Sequence, residues 1–369
     1  MEITMSLKYS PTVFAVADEY QIGVITTVDA VIWIEVGGRR FRDDVNGVLR
    51  SSAPIRKIPV PRDVLDEARE YTVCVQDVIV RRDYYSQLDE IHRETYKFRP
   101  VRSTSPRAYH IADAHGMTEA PVRAAKHFEA VVGGLDFLIL NGDVIDSSAS
   151  VECFEVIYKI CEEITHGEIP VVFSRGNHDT RGAFAELFDS YIPTEQGHSY
   201  FTFRLGSIFG FVVDCGEDKN DANIEYGGII AFHEYRLSET DYISERLAEK
   251  KFISDDIKTR IIISHAPFTR KNKSPFDIEE DLYSLWAEKF KSEFIPDLMI
   301  CGHTHKLATY LPGDESDAFG HPCPIIVASE PTIENKRFSK YTGVGFVFGE
   351  DGIRTVTTSE SGIVSEGKI

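Results

Sequence analysis

Six apolar runs of strand length recur between residues 108 and 301, and stretches of helical periodicity separate them. The runs are residues 108–112, 137–141, 170–174, 209–214, 260–264 and 298–301. Short apolar strands alternating with helices read as βα units, which is an α/β fold. One intervening helix is expected over residues 152–165, where Cys153, Val156, Ile157, Ile160, Cys161 and Ile164 share a face and Gly167 ends it. Another is expected to begin at Ser238, with Asp241 completing an approximate capping box. After Pro324 the runs PIIVAS, VGFVFG and IRTVTT return to β.

The chain ahead of these units has a different rhythm. Residues 12–17, 31–36, 71–80 and 96–101 are β-rich, and Gly37-Gly38 offers a two-residue hairpin turn into residues 39–42. Only a weak helical period appears, over residues 64–69, and the polar stretch 102–107 (RSTSPR) reads as a linker. The expected organisation is a small all-β sandwich of the fibronectin III-like kind over residues 1–103, with Trp33 in its core, followed by a larger α/β domain over 108–369. A chain of 369 residues suits two such units.

Composition narrows the partners. The 59 acidic residues against 40 basic ones give a net charge of -19, which repels phosphates at long range. This argues against extended nucleic acid and anionic membranes, so phosphate chemistry here needs a local positive centre. No stretch approaches the ~20 apolar residues of a membrane helix, and the start lacks the apolar core of an export signal. Six cysteines without a CxxC pair suit the reduced thiols of a cytoplasmic protein.

Five of the strand runs end on residues that carry chemistry. They deliver Asp113-Ala-His115-Gly116, Gly142-Asp143-Val-Ile-Asp146, Arg175-Gly176-Asn177-His178-Asp179, His265, and Gly302-His303-Thr-His305. The carboxyl ends of strands are where open α/β sheets bind ligands. The donors are carboxylate and amide oxygens and imidazole nitrogens, with no thiolate, a set that suits manganese, iron or zinc. Asp113 and His115 are close enough for one turn to aim both at one ion, and His303 and His305 can reach two neighbouring ions. Gly116, Gly142, Gly176 and Gly302 are expected to let the backbone turn sharply beside them.

The ordered set Asp-x-His, Gly-Asp-x-x-Asp, Gly-Asn-His-Asp, His, Gly-His-x-His resembles the calcineurin-like metallophosphoesterase superfamily, over about residues 109–306. The resemblance implies an αββα four-layer sandwich and a site for two divalent metal ions. By motif, Asp113, His115 and His305 ligate the first ion, and Asn177, His265 and His303 the second. Asp143 bridges the two, and His178 is a proton donor or phosphate ligand. Two such ions clamp phosphate oxygens and acidify a bridging water, whose hydroxide attacks phosphorus in line. A protein-phosphatase-like arrangement has Asp146 holding His178.

An N-terminal β domain before such a unit resembles the purple acid phosphatase layout, as does the stretch from His198 to Asp214. That group has Asp-x-Gly where this chain has Asp113-Ala-His115, and Gly-Asp-x-x-Tyr where it has Asp146, so a Tyr-ligated purple ferric site is not expected. Protein phosphatases follow Gly-Asp-x-x-Asp with Arg-Gly, whereas Ser147 and Ser148 stand here.

The remaining residues read more plainly. Arg175 is a candidate contact for substrate phosphate, and Asp179 is expected to cap a helix over residues 180–191. Arg270, Lys271 and Lys273 read as a solvated loop that can also rim the site. His110, His127, His166 and His233 have no motif partner and read as structural or surface residues. The N-terminal region carries no ligand motif and is expected to pack beside the site and shape access. The resulting expectation is a two-metal hydrolase of small phosphomonoesters or phosphodiesters. The alternative is a catalytically silent scaffold of the same fold that binds protein partners, from which the intact ligand set and His178 set this chain apart.

Overall fold

Residues 6–334 and 337–369 are described by a computed structural model. The six apolar runs form the strands Arg107–Ile111, Phe137–Asn141, Pro170–Ser174, Ile208–Val213, Thr259–Ser264 and Leu298–Cys301. The first three pair in parallel in one sheet, and the last three pair in parallel in another. Phe137–Asn141 and Pro170–Ser174 are buried at every position. That burial explains their unbroken apolar character, because a strand covered on both faces has no polar side to alternate with.

Three apolar cores define the layers. One holds Ile139 and Val172 of the first sheet together with Val212, Ile263 and Ile300 of the second. On the outer face of the first sheet, Leu138, Leu140 and Val171 pack with Phe128 of the helix Glu119–Val132 and Ile157 and Ile160 of the helix Glu155–Thr165. On the outer face of the second, Phe211 and Ile262 pack with Ile243 of the helix Phe232–Glu249 and Trp286 of the helix Glu280–Lys289. The result is the expected αββα sandwich preceded by an N-terminal all-β region.

The boundary expected at residues 103–108 does not separate two cores. Thr12–Val16 pairs in parallel with Pro170–Ser174, so the first sheet continues outward through Thr12–Val16, Glu19–Ile25 and Ile55–Pro61. At its other edge stand Arg337–Gly349, Gly352–Ser359 and Gly362–Lys368, with Ser329–Glu334 paired alongside, making ten strands. A separate five-stranded sheet, built on Ala30–Val36, Glu70–Val80 and His92–Lys97, covers the extended part. Its Ile32, Ile34, Val73 and Val75 belong to the same core as Ile139 and Val172. The N-terminal β-sandwich therefore borrows one of its two sheets from the α/β unit.

Local expectations fared unevenly. Gly37 and Gly38 do form the two-residue hairpin, both at positive φ. Trp33 is buried outside the main core, under the Arg40 guanidinium 4.8 Å from its ring. The helix expected from 152 begins with a 3-10 turn, Val151–Phe154, and His166 takes the left-handed cap just before Gly167. The helix expected from Ser238 starts at Phe232 instead, and the Ser238 hydroxyl donates to the Glu234 carbonyl one turn back. None of the described helices is long and apolar enough to cross a membrane.

Candidate metal centre

The carboxyl ends of the two parallel strand sets meet across the sandwich. Asp143, from the first sheet, places Oδ2 3.2 Å from Nε2 of His265, from the second. Two groups of side chains converge there, each with ligand atoms within 4.8 Å of one another: Asp113, His115, Asp143 and His305, and Asp143, His265 and His303. Asp143 is common to both. Asn177 completes the second group, its Oδ1 lying 3.0 Å from Nδ1 of His303. In the first group, Nε2 of His115 and of His305 are 3.0 Å apart, and Nε2 of His305 is 3.3 Å from Oδ1 of Asp113.

The backbone is bent to bring this about. Asp113, His115, Asp143, His303 and His305 all have φ between 44 and 67°. That left-handed region is uncommon for residues with a Cβ and costs about 1–2 kcal/mol each. Five such residues at one point mark a site held against its local preference. Gly176 and Gly302 contribute space more than turning. A Cβ on Gly176 would lie 2.3 Å from Oδ1 of Asp143, and one on Gly302 would lie 2.8 Å from Oδ2 of Asp113.

Hydrogen bonds fix which atoms face inward. The Asn141 carbonyl can only accept, so Nδ1 of His265, 2.7 Å away, carries the proton and Nε2 is left free. That buried Nε2 has no hydrogen-bond partner, as expected of an atom reserved for a cation. The backbone N–H of His178 donates to Oδ1 of Asp143 at 2.8 Å. The backbone N–H of His303 donates to both carboxylate oxygens of Asp113 at 3.0 Å.

The electrostatics tell the same story. Burial alone would raise the Asp113 and Asp143 carboxyls, but the surrounding imidazoles, chiefly His305 and His265 for the first and His265 for the second, hold both below the usual carboxylate range. Burial would lower His265, yet Asp143 and then Asp113 raise it to about 10. In water alone this cluster binds a proton where a cation fits, so metal must displace it. Nitrogen and oxygen donors alone, with one carboxylate shared, fit a pair of manganese, iron or zinc ions.

Three expectations change. Arg175 is committed elsewhere: its guanidinium donates to Asp214 at 2.8 Å and lies among the rings of Phe188, Phe232 and Tyr235. Asp179 caps no long helix, since the following residues form two short 3-10 turns and the helix Phe188–Tyr191. Its carboxylate instead accepts the backbone N–H groups of Gly176 and Asp143, at 2.7 and 3.1 Å, tying two ligand loops together. Burial, and then the charge of Asp143, push this carboxyl up to about 7. Asp146 holds His178 through its backbone carbonyl, 2.9 Å from Nδ1, while its carboxylate is 3.8 Å from that atom and 3.3 Å from Nδ1 of His115.

Other contributors carry no motif. Ser329, from the C-terminal tail, donates its hydroxyl to Oδ2 of Asp113 at 2.5 Å. Phe338 stacks on the His115 ring at 4.3 Å. Both come from strands that look like ordinary β in the sequence, and only tertiary pairing reveals them. The cavity over the cluster measures about 830 Å³ and is lined by Asp143, Asn177, His178, His303 and His305, with Arg270, Lys271 and Lys273 on its outer wall. No residue before Asp143 lines it, so the N-terminal region does not shape access among the described residues. His110 lies beneath Asp113, fully buried and pushed down to about 4 by that burial.

The family model for calcineurin-like phosphoesterases matches residues 106–307. Among solved structures, purple acid phosphatase PPD1 from seeds of yellow lupin (Lupinus luteus) is similar, with 14% identity, a TM-score of 0.60, and coverage of 98% of this chain and 74% of that one. GAP50, the anchor in the inner membrane complex of Plasmodium, is 13% identical with a TM-score of 0.45, over 72% of this chain and 89% of that one. A search of curated proteins finds no match. At these identities the solved structures speak to fold alone, and it is the family model, spanning more than half of the 369 residues, that decides membership. The chain belongs to the calcineurin-like phosphoesterase family.

Proposed function

We propose that this protein hydrolyses phosphate esters, monoester or diester, at a centre holding two divalent cations of manganese, iron or zinc. The observation that carries the reading is the position of Asp143, shared by two side-chain groups of suitable chemistry. Asp113, His115 and His305 would hold one cation, Asn177, His265 and His303 the other, with Asp143 between them. Bound there, the pair supplies a positive clamp for phosphoryl oxygens and a means to acidify water near neutral pH. It also gives a chain of net charge -19 the local positive centre that an anionic substrate needs.

The protein's own groups do the rest. Asn141 fixes the His265 ring so that Nε2 points inward, and Asp179 and Ser329 fix the ligand loops. His178 stands next to Asn177 with its Nδ1–H spent on the Asp146 carbonyl, so only Nε2 can take up and return a proton. Small phosphorylated compounds suit a cavity of about 830 Å³.

The test is a panel of phosphomonoesters, cyclic nucleotides, pyrophosphates and nucleic acids, assayed with the manganese-loaded protein. Turnover of at least one ester is expected. A loaded protein that binds metal yet turns over none of them would contradict hydrolysis and leave the silent scaffold.

A further inference from the structure

Arg181 lies three residues beyond His178, outside every motif that marks the site. Its Nη1 is 3.2 Å from Nε2 of His178. The other edge of its guanidinium is clamped by Glu217, with Nε and Nη2 donating to the two carboxylate oxygens at 2.7 and 2.8 Å. Glu217 is 1% exposed and also accepts from the Tyr226 hydroxyl at 3.0 Å. A planar fork gripped along one edge by a buried carboxylate keeps a fixed orientation.

That fixed orientation leaves Nη1 aimed at the reacting region. Arg181 lines the cavity over the metal cluster, together with Asp143, His178 and His303. It also lines the adjoining cavity of about 810 Å³, so its side chain forms part of the wall between the two. The guanidinium remains 36% exposed, enough to meet a ligand without first breaking the Glu217 pair. Since a guanidinium can only donate, the His178 Nε2 accepts from it at rest. An incoming phosphoryl oxygen is a stronger acceptor than a neutral imidazole nitrogen and can take over this N–H.

We infer that Arg181 is a substrate-contacting residue, whose Nη1–H donates to a non-bridging phosphoryl oxygen and so frees Nε2 of His178 for proton transfer. The inference rests on the phosphoesterase reading above. It makes Glu217 a positioning residue for Arg181, and it sets Arg175, spent on Asp214, apart from substrate.

The experiment compares manganese-loaded wild type with Arg181→Gln and Arg181→Lys. The readouts are metal content, kcat and KM on p-nitrophenyl phosphate and bis(p-nitrophenyl) phosphate, and binding of inorganic phosphate by calorimetry. Both variants are expected to keep the wild-type metal content. Arg181→Gln should lose on the order of 10- to 100-fold in kcat/KM and weaken phosphate binding by a similar factor, the range of one hydrogen bond to a charged group. Arg181→Lys, which keeps the charge but not the fork, should recover only part of the loss. Should Arg181→Gln fail to fold, Arg181→Lys carries the same comparison. Unchanged phosphate binding in a folded variant, or a loss explained by missing metal, would overturn the inference while leaving the phosphoesterase reading intact. A loaded wild type that neither binds phosphate nor hydrolyses either ester would overturn both.

Discussion

Oδ2 of Asp143 and Nε2 of His265 stand 3.2 Å apart although they come from strands of different sheets. The contact spans the sandwich, so the distance between the sheets sets the geometry of the site. The apolar core between them, with Ile139, Val172, Ile263 and Ile300, is thus part of what positions the chemistry.

Asp143→Asn should cost both cations. The amide is a weaker ligand than the carboxylate and carries no charge to hold two ions together. Metal content by mass spectrometry should fall below two per chain and hydrolysis should drop to background. Two retained ions with near wild-type turnover would show that Asp143 does not bridge.

His178→Asn should keep the metals and lower turnover by roughly 10²–10⁴, the loss typical of general acid–base catalysis. The deficit should be larger on an alkyl phosphate than on a nitrophenyl ester, whose leaving group departs without a proton. Asp146→Ala should behave differently, because the carbonyl that holds His178 is untouched by the substitution. It removes the carboxylate 3.3 Å from Nδ1 of His115, so metal affinity should fall with no dependence on leaving group. The two variants sharing one leaving-group pattern would contradict this division of roles.

Ser329→Ala removes the hydroxyl that donates to Asp113. Loss of such an outer partner typically weakens metal binding by about 10- to 100-fold. Competitive titration of manganese against a chelator measures it, and wild-type affinity would make the hydroxyl incidental.

The ligand positions were readable because each lies in a short motif directly after a local apolar run. Asp113, Asn177 and His303 announce themselves in sequence through their neighbours. Ser329, Arg181 and Glu217 do not, since nothing near them in the chain distinguishes them from ordinary polar residues. Asp179 looked like a helix cap because Asp before a helical stretch usually is one, but the buried N–H groups of Gly176 and Asp143 claimed its carboxylate first. The domain division failed for a related reason. Pairing of Thr12–Val16 with Pro170–Ser174 joins segments far apart in the chain, and no local pattern records it.

That pairing predicts the fate of a shortened chain beginning at residue 104. It loses Thr12–Val16, Glu19–Ile25 and Ile55–Pro61, leaving Pro170–Ser174, buried at every position, as an open edge. Exposed apolar edges invite aggregation. Size-exclusion chromatography and thermal unfolding should show aggregates or no cooperative transition. A monomeric, cooperatively folding product would mean that the extension is dispensable.

The central claim is that two cations share Asp143. Anomalous diffraction from crystals of the manganese-loaded protein tests it directly. The expected map holds two peaks about 3.5–4 Å apart, the spacing of two-metal sites, with the Asp143 carboxylate between them. The absence of a peak within bonding distance of Asp143, or a single peak whose ligands exclude it, would contradict the account.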